Sequence, residues 1–439
     1  VSARLGIVIS MFPELHETFI LRELVALERR GVDFDLFSLQ YPRDPITLDD
    51  AIRLSQRRSH YAALLDAASL ASLGRAVLRR PWRVVTAVGR MAWTGRDRPV
   101  QVFKNLAVLP IAMRLAELGE RRGITHWHGH WANVPTTVCW YLSHVHGASF
   151  SAAIHGEDIF TRNRFLSTKL DDAAFSVVCS GYFQRHLQSA LALRHPERVH
   201  LNYHGLDPRI LERAEAAGVI EAGSPGPGEP GPHRLISIGR LVRTKGHDTL
   251  IRAVSRLKAD GKAVTLQIVG SGPASDELRQ LVDELDLQKE VAFIGALGFD
   301  QVIDRLLDAE VFCLAPRLLP GQPPDGIPNV IAESMALGLP VVTTCVSAIP
   351  ELVEDGVCGR LVTVDDHQGF ADAVAGLLDD AALSHRLASA ARQRVAELFD
   401  QDGNIDELIA YFEHYLPGRA IGRADAPLRD AAFALSPPA

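Results

Sequence analysis

The chain has 439 residues, room for two or three domains, and its 47% hydrophobic and 23% charged residues are the balance of a soluble globular protein. A formal net charge of -7 argues against nucleic acid as the main partner. No apolar run reaches the roughly 20 residues that cross a bilayer. The five cysteines (Cys139, Cys179, Cys313, Cys345 and Cys358) form no Cys-x-x-Cys pair, so they read as buried reduced thiols of a cytoplasmic protein.

Residues 4–10 are a short apolar run followed at once by a charged helical pattern, which predicts a first strand and not a signal peptide. Helical spacing of Phe19, Leu21, Leu24, Val25 and Leu27 predicts a helix over 15–30, and 33–39 returns to strand. Residues 73–98 carry seven arginines against one acid, Asp97, with Trp82, Val85, Val88, Met91 and Trp93 between them. A basic amphipathic segment of this kind suits an anionic membrane surface, or else a helix packed on its own domain. His126-Trp127-His128-Gly129-His130 would place three histidines on one face of a strand. No Cys or carboxylate stands near them at metal-ligand spacing, and no metal is expected. Residues 151–154 read as a further strand, ending in a polar turn with His155 and Asp158. Asp158 is equally a helix cap or a ligand contact.

Residues 222–232 are almost entirely Gly, Pro and small side chains, which cannot build a core. They divide the chain into an N-terminal Rossmann-like domain (1–205), a linker (206–233) and a C-terminal Rossmann-like domain (234–400). Residues 401–439 are expected to be a helix returning toward the N-domain and a frayed tail. In the C-terminal domain the predicted strands 235–239, 264–269, 291–294, 311–315 and 340–344 alternate with predicted helices 247–259, 275–285, 299–308 and 329–337. That alternation predicts a doubly wound α/β domain, with ligands beyond the carboxyl ends of its strands.

Three motifs sit there. Gly239-Arg240-Leu241-Val242-Arg243-Thr244-Lys245-Gly246 follows the first strand, and Arg240 and Lys245 can neutralise a departing diphosphate. Gly270-Ser271-Gly272 is a strand-to-helix turn where backbone can approach a ligand, but it lacks the third glycine of a dinucleotide fingerprint. Asp325 and Glu333 stand eight positions apart around a helix start. An all-helical path bounds their separation at about 12 Å, too loose for one shared proton but suited to opposite ends of an elongated polyhydroxylated ligand.

Taken in order, Gly-Arg-Leu-x-x-x-Lys-Gly, Gly-Ser-Gly-Pro, Asp-x7-Glu, Leu-Pro-Val-Val-Thr and Ile349-Pro350-Glu351-Leu352-Val353 closely resemble the retaining glycosyltransferases of the GT-B fold, family four, over roughly 234–365. The opening Phe12-Pro13-Glu14-Leu15-His16-Glu17 is similar to the exopolysaccharide-building members, though the glycine pair of many relatives is absent. The resemblance implies two Rossmann-like domains facing across a cleft, the N-terminal one on the acceptor side, and a nucleotide-sugar donor held without a metal or other cofactor. Arg240 and Lys245 would hold the diphosphate, with Asp325 on the transferred sugar and Glu333 on the ribose. Gly239, Gly270, Gly272, Gly295, Leu297, Ile327, Pro328 and Asn329 would line the donor, with Gly295 to Leu297 along the base. His130 would stand near the reacting carbon, and His155 and Asp158 near acceptor or sugar. The usual first acid of that pair is Glu, and the shorter Asp325 leaves the sugar open.

The expected activity is transfer of a hexose, with retention, from a nucleotide-diphosphate sugar (UDP by family frequency) to a polysaccharide or lipid-linked oligosaccharide precursor. The expected place is the cytoplasm, with peripheral contact at the inner face of the membrane. Two other classes remain: a transferase-like binding and assembly protein that no longer turns over, and a phosphorylase on the same architecture.

Overall fold

The computed structural model describes residues 4–14, 18–42, 49–61, 66–160, 164–218 and 231–416. Leu15, His16 and Glu17 of the opening motif, the Gly/Pro stretch 219–230 and the expected frayed tail from 417 onward lie outside the described residues. The chain divides into two units. Unit one is the chain up to Gly205 together with the part from Asp402 onward; unit two is Leu206–Gln401.

Among the described residues, unit one is built on seven parallel strands: β1 (Leu5–Met11), β2 (Phe34–Gln40), β3 (Ser59–Tyr61), β4 (His126–His130), β5 (Ser149–Ile154), β6 (Ser176–Val178) and β7 (Val199–Leu201). Their spatial order is β3-β2-β1-β4-β5-β6-β7. Leu5 to Ile9 of β1 include no exposed position, as expected for a strand covered on both faces. Helix Thr18–Arg29 turns Ile20, Leu21, Leu24 and Leu27 onto this sheet at the helical repeat. Helix Gln401–Tyr415 adds Ile405, Leu408 and Phe412 to the same core. The chain after Asp402 therefore completes the hydrophobic layer over β1.

Among the described residues, unit two carries six parallel strands: β8 (His233–Ile238), β9 (Val264–Val269), β10 (Val291–Gly295), β11 (Val311–Leu314), β12 (Val341–Thr344) and β13 (Arg360–Val362). They are ordered β10-β9-β8-β11-β12-β13. Leu235, Ile268 and Val311 of the sheet meet Leu250, Ile251 and Val254 of helix His247–Ala259 in one core. Parallel neighbours require long crossovers, and the helices between strands supply them. In each sheet the order reverses once, between β1 and β4 and between β8 and β11. Ligands of such sheets bind at that point, beyond the carboxyl ends of the strands.

Two expectations are corrected. Residues 206–218, read as the start of a linker, include helix Pro208–Ala216, whose cap is Asp207 accepting from the Arg209 amide at 3.1 Å. It packs on helix Asn329–Ala336 of unit two, and the Arg209 guanidinium lies 4.0 Å over the Phe299 ring. Local amphipathicity here outweighs the Gly/Pro run that follows. The cysteines are all unpaired, but Cys345 is exposed and Cys179 half-buried. Cys345 falls in the turn after β12, past the apolar part of the strand.

Candidate active site

In unit two the expected donor residues collect around the reversal point between β8 and β11. β8 runs into Gly239 and exposed Arg240, and a 3-10 turn, Arg243–Lys245, leads to helix His247–Ala259. Gly246 sits at φ +65°, and a Cβ on it would meet the Ala315 carbonyl oxygen at 1.8 Å. Glycine here lets the basic loop close against the end of β11. The Lys245 Nζ lies 2.7 Å from Asp325 Oδ2. Thr244, Pro316, Arg317, Asp325, Gly326 and Ser347 line a shallow depression beside that pair. The loop bearing Asp325 is fastened from β12: Ser347, at φ +55°, donates from its Oγ to the Asp325 carbonyl at 2.6 Å. Arg317 braces the floor, donating to Asp248 at 2.6 Å and to Thr249 at 2.8 Å.

Asp325 precedes the helix, which runs Asn329–Ala336 behind Pro328. Ile327 and Pro328 lead into it, Asn329 opens it, and Glu333 is half-buried just past its first turn. Its first amides carry no side-chain cap, so their positive dipole end is directed at the loop that carries Asp325. The structure thus brings Lys245 and Asp325 into contact, where the sequence suggested separate duties for them.

The glycines need a different account from ligand approach. Gly270, at φ +140°, has no room for a Cβ because the Gly239 carbonyl oxygen would lie 2.0 Å away, and a Cβ on Gly272 would meet the Leu241 carbonyl oxygen at 2.5 Å. These glycines let the loop after β9 pack against the loop after β8, and Leu241 closes the contact by donating to the Ser271 carbonyl at 2.9 Å. They position Arg240 indirectly. Gly295, at φ +84°, faces open space. Half-buried Leu297 follows it after β10, and the Gly270 amide donates to the Gly295 carbonyl at 2.8 Å. Under the same loop His247 is buried, its Nδ1 3.3 Å from Ser237 Oγ, and burial pulls its pKa down to about 4.

In unit one β4 places His126, His128 and His130 on one face, all buried. Ser151 of β5 separates their roles. Its Oγ lies 2.8 Å from His126 Nε2 and 2.7 Å from His128 Nδ1, and Ser149 Oγ lies 3.0 Å from His126 Nδ1. His126 is therefore satisfied inside the fold. His130 lies at the carboxyl end of β4, its Nε2 3.1 Å from Glu23 Oε1 of helix Thr18–Arg29. His155, at the end of β5, stacks 6.3 Å from the His130 ring and 5.3 Å from His204, with the Phe19 ring 4.9 Å and 4.5 Å from His155 and His204. Burial drives the His155 pKa well down and the His204 pKa to about 4, so these imidazoles are neutral at pH 7.

Glu23, Phe19, Cys179 and His204 were not singled out by sequence reasoning. Glu23 and Phe19 come from helix Thr18–Arg29, Cys179 from the end of β6 and His204 from beyond β7, and only the fold brings them together. Glu23, His128 and His130 offer ligand atoms within 4.8 Å of one another, as do His155, Cys179 and His204. Local spacing around the histidines could show neither set.

Asp158 is a buried clamp. It accepts from the Ala132 amide at 2.6 Å and from the His155 amide at 3.4 Å. From the other side the buried Lys169 donates to the Ala132 carbonyl and to Thr137 Oγ1. Burial lowers the Lys169 pKa to about 8, and the Asp158 charge opposes that fall. The two grip the turn directly after Trp131, whose φ of +75° is a strained value for a bulky residue. The clamp thereby fixes the end of the strand that carries His130.

Comparison with known proteins follows the same division. Residues 225–394 match the family profile of glycosyl transferases group 1. A Salmonella typhimurium protein whose name provisionally assigns it to colanic acid biosynthesis, the glycosyltransferase WcaL, is 35% identical over 212 residues, 47% of this chain and 48% of that protein. The amylovoran biosynthesis glycosyltransferase AmsK of Erwinia amylovora is 32% identical over 39% of this chain and 42% of its own length. The chain spans about half the length of the curated relatives it matches. Whole-chain likeness comes from solved structures. Anabaena Alr3699/HepE in complex with UDP has a TM-score of 0.69 at 16% identity, covering 94% of this chain and 100% of that one. Sucrose-phosphate synthase from Thermosynechococcus elongatus has a TM-score of 0.67 at 17% identity, covering 94% and 99%. At these identities the likeness shows the fold: two Rossmann-like units of the GT-B type.

Proposed function

We propose that the chain is a glycosyltransferase that moves a hexose from a nucleotide-diphosphate sugar, UDP favoured, to a hydroxyl of a polysaccharide or lipid-linked oligosaccharide precursor, with retention of configuration. The observation that carries this reading is the cluster at the reversal point of the second sheet. Arg240 and Lys245 stand on one loop, Asp325 meets Lys245 at 2.7 Å, and the uncapped start of helix Asn329–Ala336 follows. Two cations and a helix N-terminus stabilise a diphosphate most as its charge grows on departure. Carboxylates at Asp325 and Glu333 accept hydrogen bonds from sugar hydroxyls. His130, at the carboxyl end of β4 in unit one, offers a polar contact to the sugar or acceptor. Solved structures of the same fold were obtained with UDP, glucose and UDP-glucose, which supports UDP as the first donor to test. No metal or cofactor takes part in this scheme, and the acceptor is reached from the inner face of a membrane.

The test is thermal stability with a panel of nucleotides and nucleotide sugars, followed by NMR of the product. A ligand at 100 times its Kd stabilises the native state by about 2.7 kcal/mol. A shift with one nucleotide, lost in Arg240→Ala and Glu333→Ala, is the expected result. An inverted product would remove the retaining assignment, and no shift with any nucleotide in the presence of acceptor would remove the donor site.

A further inference from the structure

Among the described residues, eight of the thirteen exposed large hydrophobic side chains fall between Leu70 and Phe103. They lie on three successive helices of unit one, Ala67–Arg79, Pro81–Thr94 and Pro99–Ala107. The inner faces of the first two are committed to the fold: Ala76, Val84, Ala87 and Met91 enter the core that holds Trp127 and Trp140. The outer faces are not. On the middle helix Trp82, Val85 and Trp93 recur near the 3.6-residue repeat and form one stripe, away from the buried Val84, Ala87 and Met91. Trp82 is 79% and Trp93 68% exposed, with Leu78 at 83% and Phe103 at 74% on the flanking helices.

The charge here opposes that of the whole chain. Residues 67–107 hold eight Arg and Lys against one acid, while the chain carries a net -7. Arg75 and Arg90 are tied to Glu117 and Asp172, at 2.7 and 2.8 Å. Arg79, Arg98 and Lys104 are exposed, and the Arg96 guanidinium lies 4.0 Å over the Trp93 ring. Indole rings and basic groups flanking an apolar stripe match the headgroup region of a bilayer, where an amphipathic helix lies in the plane. No described helix is long and apolar enough to cross a membrane. An isologous pairing of two copies through this face would set basic residues against basic residues.

We propose that the outer face of these three helices docks the protein on an anionic phospholipid bilayer, with Trp82, Trp93 and Phe103 entering the headgroup boundary and Arg79, Arg98 and Lys104 meeting lipid phosphates. The proposal rests on the lipid-linked acceptor reading for its purpose, but its test does not depend on that reading. The full chain is sedimented with vesicles of phosphatidylcholine alone and of phosphatidylcholine with phosphatidylglycerol, at low and high salt, while tryptophan emission is followed. The expected result is binding to the anionic vesicles with a blue shift, at least about tenfold weaker in high salt and in the pair Arg79→Glu and Lys104→Glu. Trp82→Ala with Trp93→Ala should abolish the blue shift and leave the melting temperature and transfer to a soluble acceptor unchanged. Equal binding by the double Trp variant, or no binding to either vesicle, overturns the docking face. So does a dimer, seen by sedimentation, that this variant dissolves. Vesicle binding by a parent chain that shows no transfer would instead remove the glycosyltransferase reading and leave the docking face standing.

Discussion

Two Rossmann-like units present their functional groups in opposite ways. In unit two the candidate groups are charges on solvated loops: Arg240 and Asp325 are exposed, and their positions come from glycine contacts in the backbone beneath. In unit one they are buried and polar: His128, His130, His155 and Asp158 are at most 6% exposed. Exposed charges contribute little to stability, whereas buried polar groups stabilise only while their partners are in place. The same kind of substitution should therefore cost function in unit two and the fold itself in unit one.

The sharpest test of that contrast is Asp158→Ala. It strips the Ala132 amide of its acceptor and leaves the buried Lys169 without its counter-charge. Breaking a buried charge pair typically costs about 3–5 kcal/mol, so denaturant unfolding should show a loss of that order. A loss under about 1 kcal/mol would mean the clamp is dispensable. The mirror experiment is Arg240→Ala or Lys245→Ala in unit two. Each should lower turnover by about 100- to 1000-fold, with a melting temperature close to that of the parent. A variant that unfolds early would show these charges to be structural and would collapse the contrast.

Gly246→Ala is where the contrast should break, since it belongs to the site of unit two and is nonetheless structural. The added methyl would press on the Ala315 carbonyl in a backbone conformation that side chains rarely adopt. Strain of this kind costs about 1–3 kcal/mol, and relief would swing Lys245 away from Asp325. Both stability and donor affinity should fall, while Gly123→Ala, also at positive φ but with open space around it, should lower stability alone. Unchanged donor affinity in Gly246→Ala would show that the loop does not need its contact with β11.

The same contrast explains what could be read before the fold was known. The alternating strands and helices of 234–344 were legible because each strand of a doubly wound sheet is a short apolar run and each helix an amphipathic one. The proposed donor residues could be named from the sequence because they follow strands in a fixed order, Arg240 and Lys245 after β8 and Asp325 before its helix. Not legible was why Gly270 and Gly272 are glycine, since the Gly239 and Leu241 carbonyls that exclude a Cβ are about thirty residues away. The histidine cluster was half legible. β4 alternation placed His126, His128 and His130 on one face, but Glu23, Cys179 and His204 arrive from helix Thr18–Arg29 and from the strand ends beyond β5. Short parallel strands such as β6 and β7 carry three residues each, too few for periodicity to register.

The smallest expected effect separates the units by acid. Burial lowers the folded-state pKa of His128, His155 and His204 in unit one and of His247 in unit two, with His204 and His247 each brought to about 4. Around His204 the Glu23 charge raises the value, while Arg22 and His130 lower it. An unfolded histidine titrates near 6.5, so between that pH and about 4 the unfolded chain binds the extra proton and the folded chain does not. Stability is then fully present above pH 6.5 and is lost as pH falls toward 4. At pH 5 one group brought to about 4 removes about 1–2 kcal/mol, and among the described residues unit one has six lowered histidines, His144, His146 and His200 included, where unit two has one. Hydrogen exchange resolved by segment at pH 7 and pH 5 should therefore show β4, β5 and β6 losing more protection than β8, β9 and β11. His204→Asn, which cannot take up the proton, should recover part of the difference. Equal loss in the two sheets would show that the imidazole cluster of unit one admits protons, and hence solvent, as readily as His247 beneath the loop of unit two.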